Sequence, residues 1–343
     1  FFFNAEDGIR DPLWSRGLGD VYKRQVGSPS SVMELIEKPS PNPAAGVIKV
    51  NVLTSGIGLP DVLMCKDDYP FTPPRPYTGG QELCGIITDA NGRERIKNRD
   101  RDMAVSAFTQ GDGSFAEEAL ITSPNVIHVP DYMSDEDAAV FNIPYRTGYV
   151  GLVIRGNMLK GETVLVLGAS GGTGFAAIQL GKALGGKVIA VANGREKTQK
   201  CLDFGADEIV DSSCENFVEK AMAFTNNQGV DLVYDPVGGD MARRCTGCMN
   251  FGGRLIAIGF ASGSWGDIPA EDLALKNLSL VGALATVPTE KMSQSMQSTL
   301  YQLYKEGQIK PAIERVLNLS DVAKAMDDLE NRKVTGKLVV KIK

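Results

Sequence analysis

Apolar positions in this chain follow two alternating periods. Thr163-Val-Leu-Val-Leu167 is a run of five apolar or β-branched residues, which predicts a buried parallel strand. It leads into glycines at 168, 171, 172 and 174 and then into Phe175–Leu184, where Ala176, Leu180, Ala183 and Leu184 recur at helical spacing and predict one apolar helix face. Five further strands are predicted at Val188–Ala192, Glu208–Val210, Val230–Tyr234, Arg254–Gly259 and Leu278–Leu284. They recur about every 20 to 25 residues with helical segments between, the pattern of an α/β doubly wound parallel sheet.

The texture before this region differs. From Gly27 to about Pro130 the chain reads as all-β, with short strands at Val32–Ile36, Val47–Val52 and Cys84–Thr88. Pro39, Pro41, Pro43, Gly56 and the Pro70–Pro76 cluster punctuate them, and Asn91–Asp102 reads as a charged loop. After residue 285 the pattern predicts a helix over Thr289–Lys305, a short strand, a helix and a last strand, Lys337–Ile342. The second of those helices is capped by Ser320 and has Val322, Ala325, Met326 and Leu329 on one face. The first 25 residues stand apart: they lack a charged n-region, a long apolar core and a small-residue cleavage site. They resemble a translated library-adapter sequence and are set aside as a non-native leader, whose tail Val21–Val26 is expected to pair in place of a missing first strand.

At 343 residues two domains are expected. A net charge of -6 and a pI near 5.1 give no basic footprint for nucleic acid. Six cysteines without regular spacing suggest free thiols in a reducing compartment. Residues 163–181 are uncharged and as long as a membrane span, but five glycines and the strand–turn–helix context favour a soluble segment, so no membrane partner is expected.

Strand, glycine turn and helix together form the context of a dinucleotide fingerprint. Gly168, Gly171, Gly172 and Gly174 permit a tight turn and close approach of backbone N–H groups to a pyrophosphate, with Ser170 and Thr173 between them. The helix N-terminus adds partial positive charge. An NAD site would place an acid at the tip of the second strand. Here the tip is Asn193-Gly-Arg195-Glu-Lys197, and Arg195 and Lys197 suit a ribose 2′-phosphate, so NADPH is the expected cofactor.

Several motifs in order, GSPSSVMELIEKPSPNP, PDVLMCKDDYPFTPP, GSFAEEALI, GETVLVLGASGGTGFAAIQLGKALG, VDLVYDPVGGD, GGRLIAIGFASG and LKNLSLVG, resemble the zinc-free medium-chain dehydrogenase/reductases of the NADPH:quinone oxidoreductase (zeta-crystallin-like) branch. The resemblance covers about residues 27–343. It implies a GroES-like catalytic β-domain, residues 26–130 with 286–343, interrupted by a Rossmann NADP-binding domain at 131–285. It also implies a homodimer and a cytoplasmic setting, with a mitochondrial one left open by the foreign leader.

Catalytic zinc needs thiolate and imidazole ligands. The zinc enzymes carry them where this chain has Gly56-Ile-Gly58 and Gly80-Gln81-Glu82, so no metal is expected. The only histidine, His128, reads as a half-buried strand residue, and Cys245-x-x-Cys248, lacking a partner pair, reads as two incidental thiols. Without a Lewis acid the acceptor must take hydride readily, as quinones and α,β-unsaturated carbonyls do. The resemblance sets Tyr69 facing the nicotinamide, where its phenol either donates to a substrate carbonyl or packs against Pro70 and Phe71. It sets Thr147 beside the nicotinamide, and Val237-Gly238-Gly239 and Gly259-Phe260-Ala261 along the cofactor. Gly58 stands where relatives have an asparagine that contacts carboxamide or substrate. Arg146 replaces a small residue and either attracts an anionic substrate or points outward. Thr78-Gly-Gly-Gln-Glu82 resembles the mitochondrial 2-enoyl thioester reductases, an alternative enzyme; a weakly catalytic NADPH-binding structural or regulatory protein is the alternative of another class.

Overall fold

The computed structural model describes residues 19–23, 25–92, 96–287 and 289–342. The chain divides into two compact units: unit 1 holds residues up to 129 with 317–327 and 340–343, and unit 2 holds 130–316 and 328–339.

Unit 1 is built on antiparallel strands. β1 (Gly19–Lys23) pairs with β2 (Met33–Glu37), and its end also pairs with β4 (Tyr77–Thr78). Residues 1–18 lie outside the described residues. A single turn, α1 (Pro29–Val32), occupies the start of the stretch read as strand from Val32, and Pro at its first position suits a helix opening. β3 (Val47–Ile57) pairs with β5 (Glu82–Asp89), which pairs with β6 (Arg101–Ser106); β7 (Glu118–His128) pairs with both β6 and β3. Ile48, Val50 and Val52 alternate inward along β3 and meet Leu83, Ile87, Ala104, Ala119 and Ile121 in the core.

Two expectations are corrected here. Arg101 and Asp102 open β6 and are not loop, because their backbone continues the ladder opposite Ile86 and Gly85. His128 does lie on a strand, but its side chain is 70% exposed, since it ends β7 beside Asp102 with Nδ1 3.8 Å from that carboxylate.

Unit 2 contains a wholly parallel six-stranded sheet in the order β10-β9-β8-β11-β12-β13. The strands are β8 (Thr163–Val166), β9 (Lys187–Ala192), β10 (Glu208–Asp211), β11 (Val230–Asp235), β12 (Met249–Ala257) and β13 (Ser279–Gly282). Every residue of β8 is buried, as parallel strands covered on both faces require. β12 begins earlier than expected, at Met249, with a shifted register against β11.

The helices of unit 2 open with α3 (Asp135–Ala138) and α4 (Asn142–Tyr149), which follow α2 (Leu59–Cys65) of unit 1. α5 (Gly172–Ala183), α6 (Arg195–Asp203), α7 (Phe217–Phe224), α8 (Gly239–Cys245) and α9 (Ala270–Leu275) connect the parallel strands. The uncharged stretch 163–181 is thus a strand, a turn and most of α5, and among the described residues no helix is long and apolar enough to cross a membrane.

α10 (Glu290–Lys305) is capped by Thr289, whose side chain accepts from the Met292 amide. β14 (Ile313–Asn318), α11 (Val322–Glu330) and β15 (Lys337–Lys341) complete the chain. Ser320 lies within a tight turn over Leu319–Asp321 and does not cap α11, but Val322, Ala325 and Met326 are buried as their spacing predicts. In unit 1, the Ile342 amide donates to the Leu53 carbonyl.

Candidate functional site

The sheet of unit 2 reverses its order between β8 and β11. β9 and β10 extend it on one side, and β11, β12 and β13 on the other. Ligands of doubly wound sheets bind beyond the strand C-termini at such a switch point. The fingerprint turn follows β8, and the Asp235–Gly239 turn follows β11. An added Cβ at Gly168 would stand 3.0 Å from Val237 Cγ2, so the two turns lie side by side.

The turn is built for close approach. Gly168 has φ +54°, the left-handed region that glycine enters without strain. The Gly171 amide donates to the Gly168 carbonyl at 3.0 Å, and Ala169 donates to Val191 of β9. At Gly174 a Cβ would stand 2.5 Å from Gly168 O and 2.6 Å from Ala169 O, so only glycine lets α5 sit this near the turn. No side chain caps α5, and the amides of its first turn lack the partners one turn back that interior helix amides have. They form a cradle of the kind that takes a pyrophosphate. Ser170 presents its carbonyl to the Gly336 amide at 2.7 Å, and Thr173 enters the first turn of α5.

Sequence reasoning missed Lys337. The buried stem of this residue lies against the cradle: a Cβ on Gly172 would stand 2.5 Å from Lys337 Cδ. No local pattern signals this, because the two residues meet only when the C-terminal segment folds back on the turn.

The strand tip after β9 also gains detail. Asn193 and Arg195 are exposed, and Gly194, at φ +89°, precedes α6. Lys197 is directed elsewhere: its Nζ donates to the carbonyls of Arg332 and Val334, the latter at 3.0 Å. Partial burial lowers its pKa, opposed by Glu314 and Glu196. Arg195 is therefore the open cation at this tip. A neighbouring acid was also missed: Asp211, ending β10, accepts from Gly194 N (2.8 Å), Ser213 N (3.0 Å) and Ser213 Oγ (2.6 Å) through Oδ1. Those donors, Ser213 Oγ foremost, hold its carboxyl below the usual range.

On the other side of the switch point, Asp235 Oδ1 accepts from the Val237 and Gly238 amides, each at 2.8 Å. Gly238 and Gly239 have φ +71° and +61°. The Ala261 amide donates to Pro236 O and the Ser262 amide to Val237 O, which ties the Gly259–Ala261 loop to this turn. Phe260 meets Trp265 in a tilted ring contact, centroids 4.8 Å apart. Thr147 is buried on α4 with Oγ1 bonded to Ile143 O at 2.6 Å, and Arg146 Nη2 donates to Ser293 Oγ at 3.1 Å.

Gly58 and Tyr69 belong to unit 1. Gly58 caps α2 and donates its amide to Asp61 Oδ2 at 2.8 Å. Tyr69 is half-buried and meets Phe71 edge-to-face at 5.6 Å. Burial, with the Asp61 carboxylate adding to it and a Gln81 hydrogen bond opposing, raises the phenol pKa, so the group stays protonated and able to donate. Gln81, itself buried, also reaches Met64 Sδ at 3.3 Å. Among the described residues no group of three histidine, cysteine or acidic side chains is placed to hold a metal. Cys245 and Cys248 are buried, and burial pushes the Cys248 thiol up to about 11.

Comparison with known proteins places these features in context. The family profile described as zinc-binding dehydrogenase matches residues 172–300. The quinone oxidoreductase-like protein 2 homolog of Nematostella vectensis is 31% identical over 97% of this chain and 91% of its own length. The quinone oxidoreductase-like protein 2 of Bos taurus is 31% identical over 96% of this chain and 95% of its own. Among solved structures, Escherichia coli quinone oxidoreductase complexed with NADPH superimposes with a TM-score of 0.86 at 27% identity, covering 94% of this chain and 99% of that one.

Proposed function

This chain belongs to the quinone oxidoreductase family of medium-chain dehydrogenase/reductases, and from that membership we propose that it is an NADPH-dependent reductase of quinones or α,β-unsaturated carbonyls that works without zinc. The observation that carries the reading is the uncapped N-terminus of α5, held against Gly168 and Ala169 by Gly174 and overlaid by Lys337 at the switch point of the sheet. NADPH supplies the hydride.

The chain's own groups do the rest. The α5 amides and Lys337 hold the pyrophosphate, and Arg195 at the open strand tip neutralises the 2′-phosphate. Val237, Gly238 and the Gly259–Ala261 loop edge the dinucleotide through backbone atoms, and Thr147 adjoins the nicotinamide. Tyr69 holds a proton available for an enone carbonyl, while a reduced quinone oxygen takes its proton from water. Gly58 and Gln81 offer no thiolate or imidazole, which supports a metal-free site. The protein acts as a homodimer; β13, an edge strand of the parallel sheet with Ser279, Leu280 and Gly282 exposed, supports this.

Steady-state NADPH oxidation measured against a panel of quinones, enones and enoyl-CoA thioesters tests the reading. Turnover of quinones or simple enones supports it. Turnover confined to enoyl-CoA would transfer the protein to the thioester reductases, and no turnover with tight NADPH binding would make it a cofactor-binding protein.

A further inference from the structure

Within unit 2, α4 and α10 enclose a polar cluster that hydride transfer alone leaves unused. Asn142 and Arg146 stand one helical turn apart on α4, and Ser293, Gln297 and Tyr301 repeat at the same interval on α10. The hydrogen bond from Arg146 Nη2 to Ser293 Oγ turns these two rows toward each other. Asn142 is 4% exposed and Gln297 8%. Arg146 Nη1, Asn142 Oδ1 and both polar atoms of the Gln297 carboxamide are out of solvent with no hydrogen-bond partner.

Buried polar groups are rarely left unpaired, and four such atoms on three side chains of two facing helix rows mark a place built to hold something polar. Charge decides what. A guanidinium drawn from water without a carboxylate beside it is costly to bury. Burial lowers its pKa, and the neighbouring ionisable group that opposes this is the Tyr301 phenol. The fork of N–H donors on Arg146 matches the paired oxygens of a carboxylate or sulfonate. The Ser293 hydroxyl and the two carboxamides, whose N–H or C=O can face inward, complete a donor set for one small anion. α4 is also the helix of Thr147, and it packs so closely on α5 that a Cβ at Gly148 would meet Leu180 Cδ1 at 2.7 Å.

We propose that Asn142, Arg146, Ser293 and Gln297 bind an anionic substituent of the electron acceptor, so that the substrate class is quinones or enones carrying a carboxylate or similar single negative group. This rests on the hydride-transfer reading above.

The test compares a neutral and an anionic acceptor, menadione and naphthoquinone sulfonate, in the wild type and in Arg146→Met. The ratio of kcat/KM values, anionic over neutral acceptor, is compared between variant and wild type, where the acceptors' intrinsic reactivities cancel. That ratio falls about 10- to 100-fold in Arg146→Met, the size of a lost charge-assisted hydrogen bond, and Arg146→Lys, which keeps the charge and loses the fork, restores only part of it. An unchanged ratio overturns the proposal and makes the cluster a water site. Should the variants fail to fold, benzoate serves as a probe on the wild type. It raises the KM for naphthoquinone sulfonate and leaves that for menadione, and equal effects on both overturn the proposal. The two readings fail separately. Absence of menadione reduction sinks the hydride reading, while menadione reduction without benzoate binding by calorimetry sinks the subsite alone.

Discussion

Replacing Gly174 by alanine adds one methyl group at the most crowded point of the cofactor cradle. The new Cβ would stand 2.5 Å from Gly168 O, 2.6 Å from Ala169 O and 2.7 Å from Ala169 C. All three are backbone atoms of the fingerprint turn and cannot rotate aside, so α5 must back away from β8. Overpacking costs about 1–3 kcal/mol, and a backbone clash belongs at the upper end. Alanine returns about 1 kcal/mol through its better helix propensity. The net loss is about 2 kcal/mol, which for a unit of this size lowers Tm by about 4–8 °C. Displacing the α5 amides also weakens NADPH binding about tenfold, roughly 1.4 kcal/mol.

Gly181→Ala on the same helix is the control. Its Cβ meets only the side-chain methyls Val188 Cγ2 at 3.0 Å and Val164 Cγ1 at 3.2 Å, so propensity and crowding offset to within about 0.5 kcal/mol. Urea unfolding followed by circular dichroism, with NADPH titrated by fluorescence, reads both quantities. Equal stability and equal NADPH affinity for the two variants would refute the argument that close packing of α5 shapes the cradle.

Arg195→Ala should erase most of an NADPH preference of at least about tenfold over NADH, because Lys197 is committed to backbone carbonyls; a preference unchanged on titration of both cofactors places the 2′-phosphate contact elsewhere. Tyr69→Phe should leave quinone turnover nearly intact and cut enone turnover about 10²-fold, as for a positioned general acid; parallel losses in kcat/KM would mean that the tyrosine only shapes its surroundings. Purified protein should hold no stoichiometric zinc and keep its activity in chelator, and one zinc per chain by elemental analysis would contradict the metal-free site. Burial raises the Asp102 carboxyl to about 6, with His128 lowering it and Asp100 adding to the rise. The folded state therefore keeps a proton that the unfolded chain sheds near 3.8, and stability drops as pH climbs through about 6. Asp102→Asn should accordingly raise Tm at pH 8 and lose that advantage near pH 4; a pH-independent difference would exclude titration of this group.

Local sequence determined the elements around the cofactor cradle. The buried run at Thr163–Leu167, the four glycines and the helical spacing after them have near-neighbour causes: burial on both strand faces, left-handed backbone at Gly168 and one apolar helix face. The alternation that announced a parallel sheet worked for the same reason, since every crossover needs its own helix. What depended on distant contacts was not legible. Lys337 reaches Gly172 only after the chain returns, Lys197 meets carbonyls of the C-terminal segment, and Asp211 meets Gly194 only because β10 lies beside β9. The tertiary fold also set the exposure of His128, which no period-2 pattern at a strand end can specify, and decided that Arg146 points into α10 and away from open solvent. Periodicity reports which face of an element is buried; charge pairing across separate elements is decided by where the sheet and the returning chain bring them together.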